Sequence, residues 1–455
     1  MVRQRSTIVF ALIGAVAVAA SGCSSAATPV DSGGPVTISV MGVPAATDQA
    51  SRDAFMKDVE AFEAKNPDIT IEPTDLVYDP STFTTLLAGG DAPSLLVVPF
   101  TQPAALIERQ QIADISADVS ALGLTEELNP AALDVLRQGD ALYGLAENVY
   151  ALGLVYNRAL FEKAGLDPDA PPTTWEEVRK AAKAINAATG VAGFASMTTE
   201  NGGGWQLTAQ TVSGGGRMQQ IDGDRATASV DNDAARDILR WQHTMRWEDQ
   251  SIGSNMLRNQ QDVERAFAAG EAAMVIATPS FYNRYINQYS GAPEQFGVTS
   301  MPQADSANQT LIGGTALVVP ATATPAERSA AVKWMDYRYV EPKRDTERAA
   351  AQAQANAADG VAVGIPLLPL FDEATQTRIN EAIEPSVNIP RENFAPYIDG
   401  VRTLEYVPEP PVATQEMYAL LDTVVQAVLT QENADVDQLL SDAQASVDSL
   451  LQSQP

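Results

Sequence analysis

The sequence is poor in the side chains that carry common enzyme chemistry, with one cysteine and one histidine in 455 residues. One thiol forms no disulfide within the chain, and one histidine supplies no zinc constellation, since HExxH and paired cysteines are both missing. A Ser-His-Asp triad would have to use His243, and the sequence has no GxSxG turn to present a serine. His243 stands off the apolar stripe of Ile238, Trp241 and Met245, so we expect it at the surface. We therefore predict no metal and no cofactor.

Phosphate-binding loops are also missing. The glycine runs NGGGW and SGGGR match neither GxxxxGK[ST] nor GxGxxG. We expect these glycines to form turns or to let the backbone approach a ligand.

Basic residues are scarce, because 29 Lys and Arg stand against 58 Asp and Glu, for a net charge of −29. Removal of residues 1–22 takes away Arg3 and Arg5 and no acidic residue, which leaves −31. A charge of this size argues against a nucleic-acid partner and against binding to an anionic membrane surface.

Long hydrophobic runs are absent apart from residues 8–20, a run of 13 residues. A membrane-spanning helix needs roughly 20. A basic start, a short apolar middle and small residues at the end are typical of a secretory signal peptide. The segment ASGC at residues 20–23 resembles the lipobox of bacterial lipoproteins, which implies that Cys23 carries the lipid. The alternative is simple secretion with Cys23 unmodified.

The segment after Cys23 is rich in Ser, Ala, Thr, Gly and Pro, a composition typical of a flexible tether. We therefore predict a signal peptide at 1–22 and a lipidated tether at 23–35. Two acyl chains suffice for stable anchoring. The predicted location is extracytoplasmic, on the outer face of the cell membrane, with the lipid as the only membrane contact.

The remaining chain alternates between β-branched apolar runs and helical patterns. The strand candidates are VTISVMG, ITIEP, LLVVPF, LGLVYN, AAMVIAT and TALVVP. This alternation predicts an α/β fold with largely parallel sheets, and its length favours two hydrophobic cores. Helix starts are predicted at Thr174, with Glu177 completing a capping box, and at Thr324, with Glu327 in the same role.

Several blocks of the sequence resemble the family 1 extracellular solute-binding proteins, the carbohydrate-type receptors of bacterial ABC importers, which include maltose-binding protein. The strongest is YGLAENVYALGLVYNRALFEKAGLDPDAPPTTWEEVRKAAKAI at residues 143–185. FMKDVEAFEAKNPDITIEP, LLAGGDAPSLLVV, AFAAGEAAMVIATPSFY and LIGGTALVVPATATPAERSAAVKWM follow the family in the expected order. Ser94 replaces an aspartate that is usual in the second of these blocks.

The resemblance implies two α/β lobes joined by a hinge, with the ligand in the cleft between them. It implies chain crossings near Ala151, near Pro302 and within residues 345–362. The N-terminal lobe is then 36–150 plus 303–350, and the C-terminal lobe is 151–302 plus 351–455. Such a receptor performs no chemistry, works as a monomer, and delivers a carbohydrate or related polyol to two permease subunits and their ATPase.

Sugars are held by aromatic rings under their CH faces and by amides, hydroxyls and acids around their hydroxyl groups. The candidate ligand-binding residues are Tyr78, Asp79, Phe100, Thr101, Gln102, Asn148, Tyr150, Trp205, Gln206, Ser280, Phe281, Tyr282, Gly313, Gly314, Thr315 and Arg402. Some follow from position: Thr101 and Gln102 stand just past a strand, where open α/β sheets bind ligands. Asn148, Tyr150 and the 280–282 cluster are implied by the resemblance.

Each candidate also has a purely structural interpretation. Trp205 is a platform or packs over a lobe edge, Phe281 is a platform or a core residue, and Arg402 contacts ligand or the acidic surface. The backbone N–H groups of Gly313 and Gly314 meet ligand oxygens or simply form a turn. Met417 stands where some relatives carry an aromatic platform, which argues against a maltodextrin-like ligand.

Three alternatives to sugar transport stay open. A receptor for a glycerophosphodiester or phosphorylated polyol needs an Arg or Lys in the cleft, and only Arg402 is a candidate. A secreted carbohydrate-active hydrolase needs two carboxylates facing each other. A receptor that signals without transport has the same sequence features as the transport receptor.

Overall fold

The computed structural model describes residues 34–46, 49–222, 225–304 and 307–453. The strands are β1 Val36–Val40, β2 Ile69–Pro73, β3 Leu96–Pro99, β4 Arg137–Gln138, β5 Ala141–Leu142, β6 Gly144–Ala151, β7 Gly153–Asn157, β8 Gln219–Asp222, β9 Arg225–Ala228, β10 Met274–Ala277, β11 Phe296–Ser300, β12 Gln309–Val318 and β13 Glu405–Pro408. All six strand candidates are confirmed as β1, β2, β3, β7, β10 and β12.

Helices fill most of the intervals between these strands. They are α1 Gln49–Lys65, α2 Pro80–Gly89, α3 Pro103–Glu108, α4 Ser116–Ala121, α5 Pro130–Leu133, α6 Arg158–Lys163, α7 Trp175–Thr189, α8 Gly202–Ser213, α9 Asp233–Trp247, α10 Gln260–Ala268, α11 Phe281–Asn287, α12 Pro325–Met335, α13 Glu341–Arg344, α14 Thr346–Ala358, α15 Glu373–Ile383, α16 Ala395–Val401, α17 Thr414–Thr430 and α18 Val436–Gln452. Both predicted capping boxes are confirmed, at the start of α7 and at the start of α12.

Two sheets organise the chain around the candidate site. In the four-stranded sheet β12 is central and pairs with β3, β6 and β13. In the three-stranded sheet β7 lies between β10 and β11. β1 and β2 form a separate parallel pair.

The prediction of largely parallel sheets is wrong. β12 runs antiparallel to β3 and β6, and β7 runs antiparallel to both of its neighbours. β1–β2 and β12–β13 are parallel. The reason is that β12 pairs with β3 and β6, which lie more than a hundred residues before it, and a local apolar pattern does not fix the direction of such distant partners.

Two hydrophobic clusters fill the described part of the chain, one on each face of the three-stranded sheet. Side chains alternate along its strands, so Val155 joins one cluster while Leu154 and Tyr156 join the other. The first cluster extends to the four-stranded sheet, and the second extends to α8, α9, α17 and α18. The chain therefore buries the two cores that its length predicted.

Three passages of the chain link these parts. β6 leads into β7 of the other sheet, β11 leads into β12, and β13 leads toward α17. The first two passages lie where the predicted crossings near Ala151 and Pro302 fall. The residue ranges of the two lobes stay a prediction.

Helices α8 and α17 pack with their backbones in close contact. A Cβ atom at Gly204 would lie 2.6 Å from the Cα of Tyr418 and would collide with its carbonyl oxygen. The carboxylate of Asp422 on α17 accepts hydrogen bonds from the backbone N–H groups of Asn201 and Gly204, both at 2.8 Å. The NGGGW glycines thus let one helix approach another, and Asp422 takes the place that an anion would take at this helix start.

Cys23, the predicted signal peptide and most of the predicted tether lie outside the described residues. Among the residues that are described, no helix combines the length and the apolar character needed to cross a bilayer.

The α8–α17 contact predicts the effect of Gly204→Ala. The added methyl group has no room against the Tyr418 backbone, so we expect the free energy of unfolding to fall by about 1–3 kcal/mol, as for other overpacked sites. Urea denaturation of the two proteins measures the change. Gly89→Ala is the control, because a Cβ there meets only the exposed Asp91 carboxylate, at 3.1 Å. An equal response of the two variants would contradict the packing argument.

Candidate functional site

Two aromatic rings lie over glycines in the centre of the four-stranded sheet. A Cβ at Gly313 would come within 2.6 Å of the Tyr150 hydroxyl oxygen, and one at Gly314 would come within 2.9 Å of the Phe100 ring. Tyr150 is opposite Gly313 across the β6–β12 pair. Asn148 lies on the same face of β6, two residues earlier, and both side chains keep part of their surface exposed. The sheet thus brings Asn148 and Tyr150 together on one face, whereas Phe100, which meets Gly314, lies on the opposite face and is buried in the first cluster.

A chain of polar side chains continues from Phe100. The hydroxyl of Tyr78 donates a hydrogen bond to Oε1 of Gln102 at 3.2 Å, and Nε2 of Gln102 donates to Oγ1 of Thr101 at 3.3 Å. Thr101 is buried, whereas Gln102 and Tyr78 are half-buried. Asp79 is exposed, and its backbone carbonyl accepts the N–H of Phe83 at the start of α2.

Trp205 lies in the first turn of α8 and packs against both hydrophobic clusters. It is half-buried, so part of its surface remains open to solvent. The indole therefore packs between the two hydrophobic clusters and also presents part of its surface to solvent, which is compatible with both interpretations from the sequence.

A carboxyl group with a raised pKa lies beside Tyr150 and Trp205: Glu409, which the sequence reasoning missed. The residue follows directly on β13, and its Oε1 accepts a hydrogen bond from the Tyr418 hydroxyl at 3.1 Å. The side chain of Trp205 donates a second hydrogen bond to the same carboxyl group. Burial penalises the ionised form and raises the pKa of Glu409 to about 7, against the effect of both donors. A strand end was the signal that could have found it.

Glu409 in turn shapes the hydroxyls around it. Burial is the main reason that the pKa of Tyr150 is raised, and the charge of Glu409 adds to the effect. Tyr418 is fully buried, and its pKa is raised by burial and by the same carboxylate. Tyr150, Trp205, Glu409 and Tyr418 therefore form one electrostatic unit, which we call the Glu409 cluster.

A crevice of about 210 Å³ opens between segments that are distant in sequence. Its lining includes Glu108 and Arg109 at the end of α3, Arg225 of β9 and Asp448 of α18. The same crevice is lined by Val412, three residues after Glu409, and by Ala105, three residues after Gln102. The lining of this crevice contains neighbours in sequence of Gln102 and Glu409, but neither of these residues themselves.

Three candidates are corrected by their packing. The amide of Gln206 is buried and used internally: its Oε1 accepts from Met197 N at 2.9 Å and its Nε2 donates to the Ile276 carbonyl at 3.1 Å. Phe281 and Tyr282 are buried in an aromatic cluster around Phe267, Phe296 and Phe394. They start helix α11, which turns them away from the strand end and into the core.

The glycines at 313 and 314 also differ from expectation. They lie inside β12, and their partners across the sheet are Tyr150 and Val149. Gly314 also accepts the N–H of Phe100 at 3.0 Å. The pair therefore lies within the sheet, so the expectation of a turn is wrong, while a contact of the backbone N–H groups with ligand oxygens stays a prediction. Thr315, paired with Asn148, is half-buried.

The remaining candidates lie apart from the Glu409 cluster or contribute little surface. Ser280 is half-buried, with its hydroxyl 2.7 Å from that of Thr278. Arg402 is exposed at the end of α16. Met417 is buried on α17, so it offers no stacking surface.

Metal chemistry has no support in the part of the chain that the structure describes. Those residues include no group of three or more His, Cys, Asp and Glu side chains arranged to hold an ion. His243 is half-buried rather than fully exposed, and its Nε2 lies 2.8 Å from the Glu432 carbonyl oxygen.

Residues 46–339, more than half of the chain, match the model of the family described as bacterial extracellular solute-binding protein. A curated relative is the sn-glycerol-3-phosphate-binding periplasmic protein UgpB of Escherichia coli K12, 28% identical over 158 residues. That match covers 32% of this chain and 34% of the relative, so the chain matches about a third of the relative's length.

Solved structures resemble the chain over nearly its whole length. The cyclic α-maltosyl-1,6-maltose binding protein of Arthrobacter globiformis is 21% identical, with 92% of this chain and 100% of that chain covered at a TM-score of 0.70. A maltose-bound protein of T. maritima is 20% identical, with 91% and 99% covered at 0.67. UgpB of Mycobacterium tuberculosis with glycerophosphocholine is 16% identical, with 93% and 100% covered at 0.70. These likenesses confirm the two-lobed periplasmic-binding-protein fold.

The raised pKa of Glu409 predicts a pH-dependent effect of Glu409→Gln on stability. The folded state holds the proton more tightly than the unfolded state, so the cost of the buried carboxylate is small near pH 4.5 and grows as the pH rises to about 7. We therefore expect the variant to gain stability at pH 8, by roughly 1–3 kcal/mol, and to gain less at pH 5. Urea denaturation at both pH values measures the difference.

Glu405→Gln is the matched control for this experiment. Glu405 is the first residue of β13, the strand that Glu409 follows, and it is exposed and accepts a hydrogen bond from Gln309 at 3.1 Å. Glu405→Gln removes the same formal charge as Glu409→Gln, so this variant reports the effect of net charge alone. Equal gains in the two variants, or a larger gain for Glu409→Gln at pH 5 than at pH 8, would refute the assignment.

Proposed function

Because the chain belongs to the family of bacterial extracellular solute-binding proteins, we propose that it is the substrate-binding component of an ABC importer. It captures a carbohydrate or related polyol between its two lobes and delivers it to the permease. The observation that carries this proposal is the Glu409 cluster, in which Tyr150 of the four-stranded sheet and Trp205 of α8 approach one half-buried carboxylate. Rings beside hydrogen-bonding groups are what a sugar requires.

The physical basis of capture is closure around a hinge. In the proposed division, Tyr150 belongs to residues 36–150 plus 303–350, and Trp205 belongs to 151–302 plus 351–455. A ligand that contacts both lobes stabilises the closed form, whereas a ligand that contacts one lobe leaves the equilibrium unchanged. The crevice between α3 and α18 is consistent with this arrangement, since the proposed division assigns α3 to one lobe and α18 to the other.

We assign the protein a role in binding and none in catalysis. The family and the solved relatives are substrate-binding proteins. The proteins of Arthrobacter globiformis and T. maritima bind maltose-type sugars, which supports the same ligand class here. The proposed partners are two permease subunits and an ATPase, and the proposed working form is a monomer.

A glycerophosphodiester or phosphorylated polyol is the second candidate ligand. The curated relative binds sn-glycerol-3-phosphate, and the Mycobacterium tuberculosis protein binds glycerophosphocholine. Arg109 and Arg225 favour this ligand. Both are exposed and line the crevice, and a bound phosphate needs such cationic side chains as hydrogen-bond donors.

Binding is tested first by calorimetry with maltose, α-D-tagatose, glycerophosphocholine and sn-glycerol-3-phosphate. We expect one of the two sugars to bind and to raise the melting temperature in proportion to RT ln(1 + [L]/Kd). Binding of a phosphate ester alone would transfer the proposal to the second ligand class, and hydrolysis of a glycan would contradict both.

Trp205→Ala is expected to weaken the affinity for the bound sugar by about tenfold or more, because an aromatic surface and a donor to Glu409 are lost. The control is Trp247→Ala. Trp247 is also half-buried, and its indole donates to the Val428 carbonyl at 3.0 Å on α17. This control is expected to lose stability without losing affinity. Unchanged affinity in Trp205→Ala would remove Trp205 from the site.

We also propose that Cys23 carries the lipid anchor that holds the protein on the outer face of the membrane. Cys23→Ser removes the only thiol that can be acylated. We expect the variant to leave the detergent phase in Triton X-114 partitioning and to appear in the medium, while its ligand affinity is unchanged. A variant that stays with the membrane would favour retention by other means.

A further inference from the structure

Glu409 has hydrogen-bonding capacity that the protein does not use. An ionised carboxylate offers about four acceptor positions on its two oxygens. Tyr418 and Trp205 supply two donors. Among the described residues, no lysine or arginine forms an ion pair with it, and no cation contributes to its shifted pKa.

This arrangement is costly in the free protein. A carboxylate that is removed from water and has no cationic partner loses hydration that two neutral donors replace only in part. Glu409 nevertheless keeps part of its surface accessible, and Val412, three residues further along the chain, lines the crevice. The missing donors can therefore arrive with a ligand.

We propose that Glu409 is the residue that recognises a pair of neighbouring hydroxyl groups on the ligand. One hydroxyl donates to each carboxylate oxygen, and the rings of Tyr150 and Trp205 supply apolar surface beside them. The inference rests on the proposed function, and it deepens that function by naming the chemical group that reaches the buried end of the site.

The surrounding charges restrict further which ligands can bind at this site. A phosphate placed beside Glu409 would face a second negative charge in a poorly solvated site, which is unfavourable. Any phosphate must therefore point toward Arg109 and Arg225, away from Glu409. A diol comes from two sources, a sugar ring or the glycerol end of a glycerophosphodiester, and the experiment separates them.

The test measures binding by calorimetry at pH 8, where Glu409 is ionised, since its pKa is about 7. The probes are maltose and α-D-tagatose on one arm and glycerophosphocholine on the other. The proteins are the unaltered chain, Glu409→Gln, Glu409→Asp and the exposed control Glu405→Gln. For the diol that binds, we expect Glu409→Gln to weaken affinity about 10- to 100-fold, because charge-assisted hydrogen bonds are lost.

The other variants separate charge from geometry. Glu409→Asp keeps the charge and withdraws it by one methylene, so it is expected to lose affinity as well, whereas Glu405→Gln is expected to bind as the unaltered protein does. An analogue of the bound sugar that lacks one of the two hydroxyls should bind the unaltered protein weakly, and Glu409→Gln should weaken it little further. This non-additivity is the signature of a direct contact.

The outcomes distinguish this inference from the proposed function. If no probe binds the unaltered protein, the proposed function fails and the inference fails with it. If a sugar binds and Glu409→Gln keeps full affinity in a folded protein, as judged by circular dichroism, the inference alone is overturned. Tighter binding of glycerophosphocholine to Glu409→Gln than to the unaltered protein would also overturn it, since the phosphate would then lie beside Glu409.

Discussion

The contact between α8 and α17 is the constraint on which the candidate site depends. Gly204 lies against the backbone of Tyr418, and Asp422 holds the first N–H groups of α8. This close approach of the two helices determines where Trp205 lies relative to Glu409. Any side chain larger than hydrogen at Gly204 would push the helix outward and carry the indole with it. The glycine run is thus required for helix packing, and it also determines the position of Trp205, the next residue of the candidate site.

Glu409 shows how a receptor of this kind can keep a site ready for a ligand. Its carboxylate is partly desolvated, paired with two neutral donors, and surrounded by rings. Such a group lowers the stability of the ligand-free protein. Its desolvation is compensated most when a ligand brings hydrogen-bond donors to it. The chain has 29 Lys and Arg residues against 58 Asp and Glu residues, so cations are scarce as partners for a desolvated carboxylate such as that of Glu409.

The sequence predicted the strands, the helix caps and the family because these depend on local patterns: Thr174 with Glu177, or an apolar run bounded by turns. It predicted the direction of the strands poorly, since pairing depends on contacts between β12 and segments more than a hundred residues away. The same limit explains the site. Phe281 and Tyr282 had the right chemistry but begin a helix that faces the core, and Glu409 gained its character from Tyr418 and Trp205, which only folding brings beside it.

The pairing of β6, β12 and β13 in one sheet has a mechanical consequence. Each of these strands adjoins one of the three passages of the chain, and β6 and β13 are both paired with β12 by backbone hydrogen bonds. The backbone of β12 thereby holds the passages at β6 and β13 in one sheet, so a change of register in one strand pair would displace the start of the passage beside it.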